Sequence, residues 1–403
     1  MEAQLKAGAP PGSAASGPGD IGTRAGRAAD AAAANAAEVD TQARFPAETF
    51  TAVKDQRLLG IMVPKSLGGE GASLGEVAEV CYRLGQSCSS SGMIYAMHQI
   101  KVACLIRHSG ASAGLQRLLR RLCAEQLLLA SSTTEGHGGG NIRSSEAPIE
   151  PLEGGRIALE RKASVISYGA YADGIVTTAR RAADATAYDQ VLVAFLKSDY
   201  TLTRLQGWNA LGMRGTCSEG YTLKAQAAAD QVLPDPYELI HARTMVPSAH
   251  LLWGSVWTGI AAGACARAQA FIRNVMRHSN GQLPPGAPQF TRALSTLRTL
   301  RGMLATSLRR YQQCMDDPQA LAALDFQTMI TLTKVEASEL AVTTVLAAMR
   351  ACGLSGYRND SEYSIGRALR DVLSSPIMIN NDRILANLAT PALMSAIPTT
   401  MRE

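Results

Sequence analysis

The chain has 403 residues, 46% hydrophobic and 18% charged, with a formal net charge of +5. That balance suits a globular protein with core enough for two or three domains, and its scattered arginines form no basic stripe that would track nucleic acid. The eight cysteines are dispersed without a CxxC pair and the six histidines lack ligand spacing, so reduced thiols, a cytoplasmic location and no metal site are expected.

Residues 1–36 are rich in Ala, Gly, Pro and Ser and read as a disordered N-terminal segment. From 37 to 130 the spacing of apolar residues is helical, as in FPAETFTAVKDQRLLGIMVP, GEVAEVCYRLGQ and MIYAMHQIKVACLIRHSG, with a glycine turn at LGGEGASL. Between 131 and 243 come RIALERKASVISY, GIVTTARR, QVLVAFLKS and YTLKAQAA, short β-branched runs broken by glycine or charged turns, which read as antiparallel strands. From 244 to 403 four long helical segments are expected, near 245–278, 290–315, 322–352 and 362–395. The most apolar of them, at 249–266, carries Gly254, Ser255, Gly259 and Gly263, which suits close helix packing rather than a membrane span. The predicted fold class is α+β: an N-terminal α-helical domain, a central antiparallel β domain and a C-terminal four-helix bundle.

In this order the landmarks resemble the acyl-CoA dehydrogenase superfamily, from about residue 40 onward. VPKSLGGEGASL looks like that family's early glycine turn, and SSTTEGHGGGN (131–141) like its T-E-P-x-A-G-S-D loop. ASVISYGAYADGIVTTAR resembles the strand pair that backs a flavin, and NALGMRGTCS the lG-x-R-x-S segment. GIAAGACARA resembles the small-residue helix, and CGLSGY with Arg370-Asp371 the GG-x-GY…RD signature. The resemblance implies FAD, with FMN possible, contacted by Ser132, Thr133, Thr134, Val165, Ile166, Ser167, Gly353, Asn381 and Arg383. It implies substrate contacts at His98, Gly140 and Val256, an acyl-CoA or acyl-carrier-protein substrate, and a homodimer or homotetramer. An electron acceptor or a supplier of reduced flavin would be a further partner; nucleic acid and membrane would not. Glu135 is expected to be structural, and Arg370 and Asp371 to form an ion pair.

Two departures matter. The family's usual catalytic carboxylate, eight residues after the Arg-Asp pair, falls on Ile379, and the alternative source on the helix after the β domain falls on Val256. Asp382 is the nearest replacement base, although Asn-Asn-Asp also suits a helix cap; His250 is a second candidate by residue type. The arginine stretch that meets the cofactor's pyrophosphate in relatives is replaced by MRHSNGQLPPGAPQ, where Arg277, His278 and Gln289 could substitute. The leading expectation is α,β-dehydrogenation of an acyl thioester. The alternatives are a flavin monooxygenase, whose chemistry needs an apolar pocket but no α-proton base, and a non-catalytic acyl-carrier-binding member.

Overall fold

The computed structural model describes residues 19–135 and 144–394, with 397 and 399. The chain opens with α1 (Ile21–Gln42), capped by Asp20, whose carboxylate accepts the Thr23 N–H at 3.2 Å. Its buried stripe is almost all alanine: Ala25, Ala28, Ala29, Ala32 and Ala36. The disorder expected for 1–36 is therefore corrected from residue 21 onward. Alanine is the strongest helix former, and small side chains at helical spacing let α1 lie close on its neighbours. Arg24, buried within this helix, is clamped by both oxygens of Glu70, at 2.8 and 2.5 Å.

Four further helices complete the first layer: α2 (Ala47–Asp55), α3 (Leu74–Ser87), α4 (Ser89–His108) and α5 (Ala113–Glu125). A capping box of Ser73 and Glu76 starts α3. Helix α4 is buried on nearly every side, and it carries its polar groups inward. Tyr95 donates to the Leu58 carbonyl at 2.9 Å, and Gln99 donates to Leu58 and Leu59. Paired in this way, the polar groups cost little to bury.

Among the described residues seven strands follow: β1 (Leu129–Ser132), β2 (Glu150–Leu152), β3 (Arg156–Ile166), β4 (Gly174–Arg180), β5 (Gln190–Leu196), β6 (Tyr200–Gln206) and β7 (Glu219–Ala228). They form two sheets, ordered β1-β4-β5 and β2-β3-β7-β6. The expected all-antiparallel arrangement needs one correction, because β1 and β4 run parallel. Strands β4 and β5 are buried along almost their whole length, which explains why GIVTTAR and QVLVAFL read as continuous rather than alternating runs.

The C-terminal region comprises α6 (Tyr237–Ile240), a π-helical turn (His241–Met245), α7 (Val246–His278), α8 (Ala287–Cys314), α9 (Pro318–Ala322), α10 (Leu324–Cys352), α11 (Leu354–Tyr357), α12 (Gly366–Val372) and α13 (Asn381–Met394). Helices α7, α8 and α10 pack on one another, and α3 packs along α7. The fourth long segment expected at 362–395 is instead two helices separated by a loop at 373–380, which contains Pro376 and the left-handed Ile379. The small-residue face of α7 is used within the chain. A Cβ on Gly259 would meet the Tyr82 carbonyl oxygen at 2.2 Å, so only glycine lets α3 and α7 approach this closely. All eight cysteines are buried and unpaired, and no helix among the described residues is long and apolar enough to cross a membrane.

Candidate functional site

Helix α4, strand β1, the end of β3, the π turn with α7, and the loop 373–380 meet around a cavity of about 420 Å³. A second cavity of about 400 Å³ adjoins it, and the two share Met97, Val165, Ser167, Ile377 and Met378. Of the family-predicted contacts, Thr133, Thr134, Val165, Ser167 and Arg383 line the first cavity, as does Ile379 at the family's base position.

The structure places the other predicted residues elsewhere. His98 is fully buried: its Nδ1 accepts the Leu129 N–H at 3.0 Å and its Nε2 donates to the Leu59 carbonyl at 2.9 Å. It ties α4 to the start of β1 and has no nitrogen left for substrate. Val256 is buried against Gly85 and Gly92, and Ile166 is buried within the sheet. Gly353, at φ 55° and ψ −135°, serves the chain reversal between α10 and α11. Asn381 is buried in a polar cluster on α10, donating to Ser338 Oγ at 3.0 Å and Glu339 Oε1 at 2.7 Å and accepting from Lys334 Nζ at 2.7 Å. Ser132 does not line either cavity, and its hydroxyl is buried and without a partner among the described residues. Gly140 lies outside the described residues, as does His137 of the same SSTTEGHGGGN loop.

The replacement base is also corrected. Asp382 is exposed in the first turn of α13 and does not line the cavity. The helix is capped instead by Asn380, whose Oδ1 accepts the Arg383 N–H at 3.1 Å. His250 does line the cavity. Its Nδ1 lies 3.1 Å from the Ile330 carbonyl, which fixes the proton on Nδ1 and leaves Nε2 an acceptor. Burial pushes its pKa down to about 4, with Lys334 adding to the effect, so the ring is neutral near pH 7.

Lys101 on α4 and Met245 in the π turn also line the cavity, and neither was picked out by the sequence pattern. Burial lowers the Lys101 pKa to about 8, and Nζ reaches Met245 Sδ at 3.6 Å. A lone lysine in the apolar run MIYAMHQIKVACLI was the available signal. Among the described lining residues there is no Asp or Glu.

A chain of hydroxyls backs the junction of the two cavities. Thr216 Oγ1 donates to the Met213 carbonyl at 2.8 Å, Ser218 Oγ lies 2.7 Å from Thr216 Oγ1, and Ser167 Oγ lies 2.8 Å from Ser218. Each hydroxyl has one proton, so the direction is set: Ser167 donates to Ser218 and turns only acceptor capacity towards the cavity. The Arg-Asp signature holds this wall. Asp371 Oδ1 accepts the Met213 N–H at 2.6 Å, and Arg370 donates to the Leu211 carbonyl at 3.0 Å and pairs with Asp40 on α1. The expected ion pair between Arg370 and Asp371 is therefore replaced by two separate clasps. Gly212 is required there, since its Cβ would meet the Arg370 carbonyl oxygen at 2.1 Å. Glu135 is structural as expected: it accepts from Ser145 Oγ at 2.8 Å and Glu146 N at 2.7 Å and faces Arg161 at 3.4 Å. Arg277, His278 and Gln289 do not line either cavity.

Two adjoining, mostly apolar lobes edged by hydroxyls at Ser131, Thr133, Thr134 and Ser167 fit a flat heteroaromatic ring beside a small apolar molecule. The model of the acyl-CoA dehydrogenase N-terminal domain matches residues 23–126. A probable acyl-CoA dehydrogenase of Mycobacterium tuberculosis is 23% identical over 383 residues, covering 90% of this chain and 91% of its own. The short-chain-specific acyl-CoA dehydrogenase of Clostridium acetobutylicum is also 23% identical, over 83% of this chain and 86% of its own. Among solved structures, FMN-bound TdsC of Paenibacillus sp. A11-2, a dibenzothiophene monooxygenase, shares the fold with a TM-score of 0.82 at 18% identity, over 94% of this chain and 98% of its own. Residues 23–126 thus match the acyl-CoA dehydrogenase N-terminal domain, and over most of its length the chain is similar to acyl-CoA dehydrogenases and shares its fold with TdsC.

Proposed function

We propose that this chain is a flavin-dependent oxidoreductase that oxygenates a small, mostly apolar substrate. The observation that carries the reading is the cavity lining: Ile379 stands where relatives place a carboxylate, and none of the described lining residues is acidic. Removing a proton next to a thioester carbonyl needs a base within hydrogen-bond reach, whereas oxygen transfer needs a dry, apolar enclosure. A bound flavin, FAD or FMN, would supply the two-electron redox chemistry. Thr133, Thr134, Val165 and Ser167 would hold it, Ser167 accepting a ring N–H. Met97, Ile100, Ala249, Trp253 and Ile379 would exclude water from the substrate. TdsC, described as an FMN-bound dibenzothiophene monooxygenase, supports this reading by analogy of fold.

A second reading, α,β-dehydrogenation of a CoA- or carrier-linked acyl thioester, is supported by the relatives named acyl-CoA dehydrogenases and by one residue, His250. The ring lines the cavity and is neutral near pH 7, although a pKa of about 4 makes it a weak base. We further infer that copies associate through the C-terminal helices, where Leu354, Tyr357, Leu393 and Met394 stand exposed.

The test has two steps. Purified protein is mixed with FMN or FAD and its absorption spectrum recorded. The flavin-loaded protein is then titrated anaerobically with acyl-CoAs of several lengths, and separately given a reduced-flavin supply, oxygen and indole or dibenzothiophene. Oxygenated product without anaerobic bleaching is expected. Bleaching by an acyl-CoA would replace the first reading with the second, and no flavin uptake would sink both.

A further inference from the structure

Lys101 sits on α4 with only 3% of its surface exposed, yet it lines the cavity. An ammonium has three donors and a full charge, and burying it without an anion costs several kcal/mol, on the order expected for an isolated ion. Among the described residues its one hydrogen-bonding partner is the Met245 thioether at 3.6 Å, a weak acceptor. The nearby buried cation, Arg161 on β3, is differently placed: Glu135 lies 3.4 Å from it, and the Thr178 side chain accepts from it at 2.8 Å. Among the described residues Arg161 therefore has a counter-ion and Lys101 has none, and Arg161 adds to the positive field at Lys101. Nor does the cavity supply an anion, since its described lining contains no Asp or Glu while Arg383 adds a second cation. Packing alone would be served as well by Met or Leu, which fill the same length without a charge to desolvate.

We propose that this cavity selects a small, largely apolar molecule that carries one anionic oxygen group of the carboxylate type, and that Lys101 binds this group. The inference rests on the reading of this cavity as the substrate pocket, and it narrows the substrate class. The anion completes a charge-assisted hydrogen bond that the folded chain leaves unmade, so its binding gains both the contact and the relief of a desolvated ammonium. The apolar part lies along Ile100, Met97, Ala249 and Trp253. A neutral molecule of the same shape would make the apolar contacts but leave Lys101 as it stands.

The experiment is calorimetric titration at pH 7 of two matched pairs, benzoate with benzamide and hexanoate with hexanamide, into flavin-free and FMN-supplemented protein. Each anion is expected to bind the wild type about tenfold or more tightly than its amide, as a charged hydrogen bond requires. That preference should vanish in Lys101→Met and persist in Lys101→Arg. Equal binding of anion and amide by the wild type, no anion binding at all, or an unchanged preference in Lys101→Met would each overturn the proposal. If Lys101→Met fails to fold, the wild-type ratio still decides. Should Lys101→Met instead lose FMN uptake while keeping its anion preference, Lys101 serves the cofactor and the proposal is wrong. Protein that takes up no flavin but discriminates the pairs keeps this inference and loses only the functional reading above.

Discussion

Ile379 holds φ at 49°, a left-handed conformation that a β-branched residue adopts only under constraint. The constraint is visible: Lys334 Nζ donates to the Ile379 carbonyl at 3.4 Å and to the Ser375 carbonyl at 3.2 Å. Asparagine tolerates this conformation, so Ile379→Asn should recover about 1 kcal/mol in urea unfolding, whereas Ile379→Val should recover nothing. A clear loss in the Asn variant would mean that the apolar contacts of Ile379 outweigh its strain. A second residue-level effect depends on pH. Burial pushes both His98 and His250 down to about 4 from 6.5. Below pH 6.5 the unfolded chain takes up a proton on each ring, while the folded chain does not until about pH 4, so stability falls across this window. At pH 5 the loss should be about 2 kcal/mol per histidine. His98→Asn should be less stable than wild type at pH 7 but lose less between pH 7 and 5; an equal slope in both proteins would assign the acid sensitivity to other groups.

Element packing decides which side of a helix faces the cavity, and there the sequence pattern reaches its limit. Landmarks index a position along the chain but not its rotation. On α4 the resemblance pointed to His98, yet the residues that line the cavity are Met97, Ile100 and Lys101, the adjoining face of the same helix. On α7 the pattern pointed to Val256, while Ala249 and Trp253, with Met245 of the preceding π turn, all spaced four apart, make the wall. The place of Ile379 at the cavity was legible, because it lies at a fixed distance from Arg370-Asp371 and does line the cavity. A replacement base was not, because Asp382 is one turn further into α13 and points to solvent. The break of the last segment into α12, a loop and α13 was equally hidden, since the loop is held from a distance. Lys334 on α10 joins Ser375, Ile379 and Asn381, and its ammonium lies 5.7 Å from the Trp257 ring centre. Lys334→Met should therefore remove a donor from two carbonyls and from Asn381 Oδ1 and cost about 3 kcal/mol. Faster amide hydrogen exchange confined to 374–381 would accompany it. Unchanged exchange there would show that the loop holds its shape without the lysine.

At the scale of the whole molecule, the N-terminal helices and the C-terminal bundle are joined backbone to backbone where α3 crosses α7. Three glycines make the crossing. A Cβ on Gly259 would lie 2.2 Å from the Tyr82 oxygen, one on Gly263 2.7 Å from the Gln86 oxygen, and one on Gly85 2.5 Å from the Val256 oxygen. In each case the obstacle is a carbonyl oxygen, which no rotamer change can move. A single methyl group at Gly259 must then push the helices apart, and α4, which packs against both α3 and α7, shifts with them. Gly302, in the middle of α8, offers the opposite case: its Cβ would meet nothing within 4 Å. The same substitution should thus have opposite signs at the two sites. Gly302→Ala should stabilise by about 0.5–1 kcal/mol, because alanine loses less backbone entropy in a helix. Gly259→Ala should destabilise by about 3 kcal/mol or more, as overpacking against backbone does, and should weaken ligand binding in the cavity that α4 lines. Urea unfolding of the two variants, with benzoate titration of each, checks both signs. Equal effects would mean that the crossing is looser in solution and that the cavity does not depend on it.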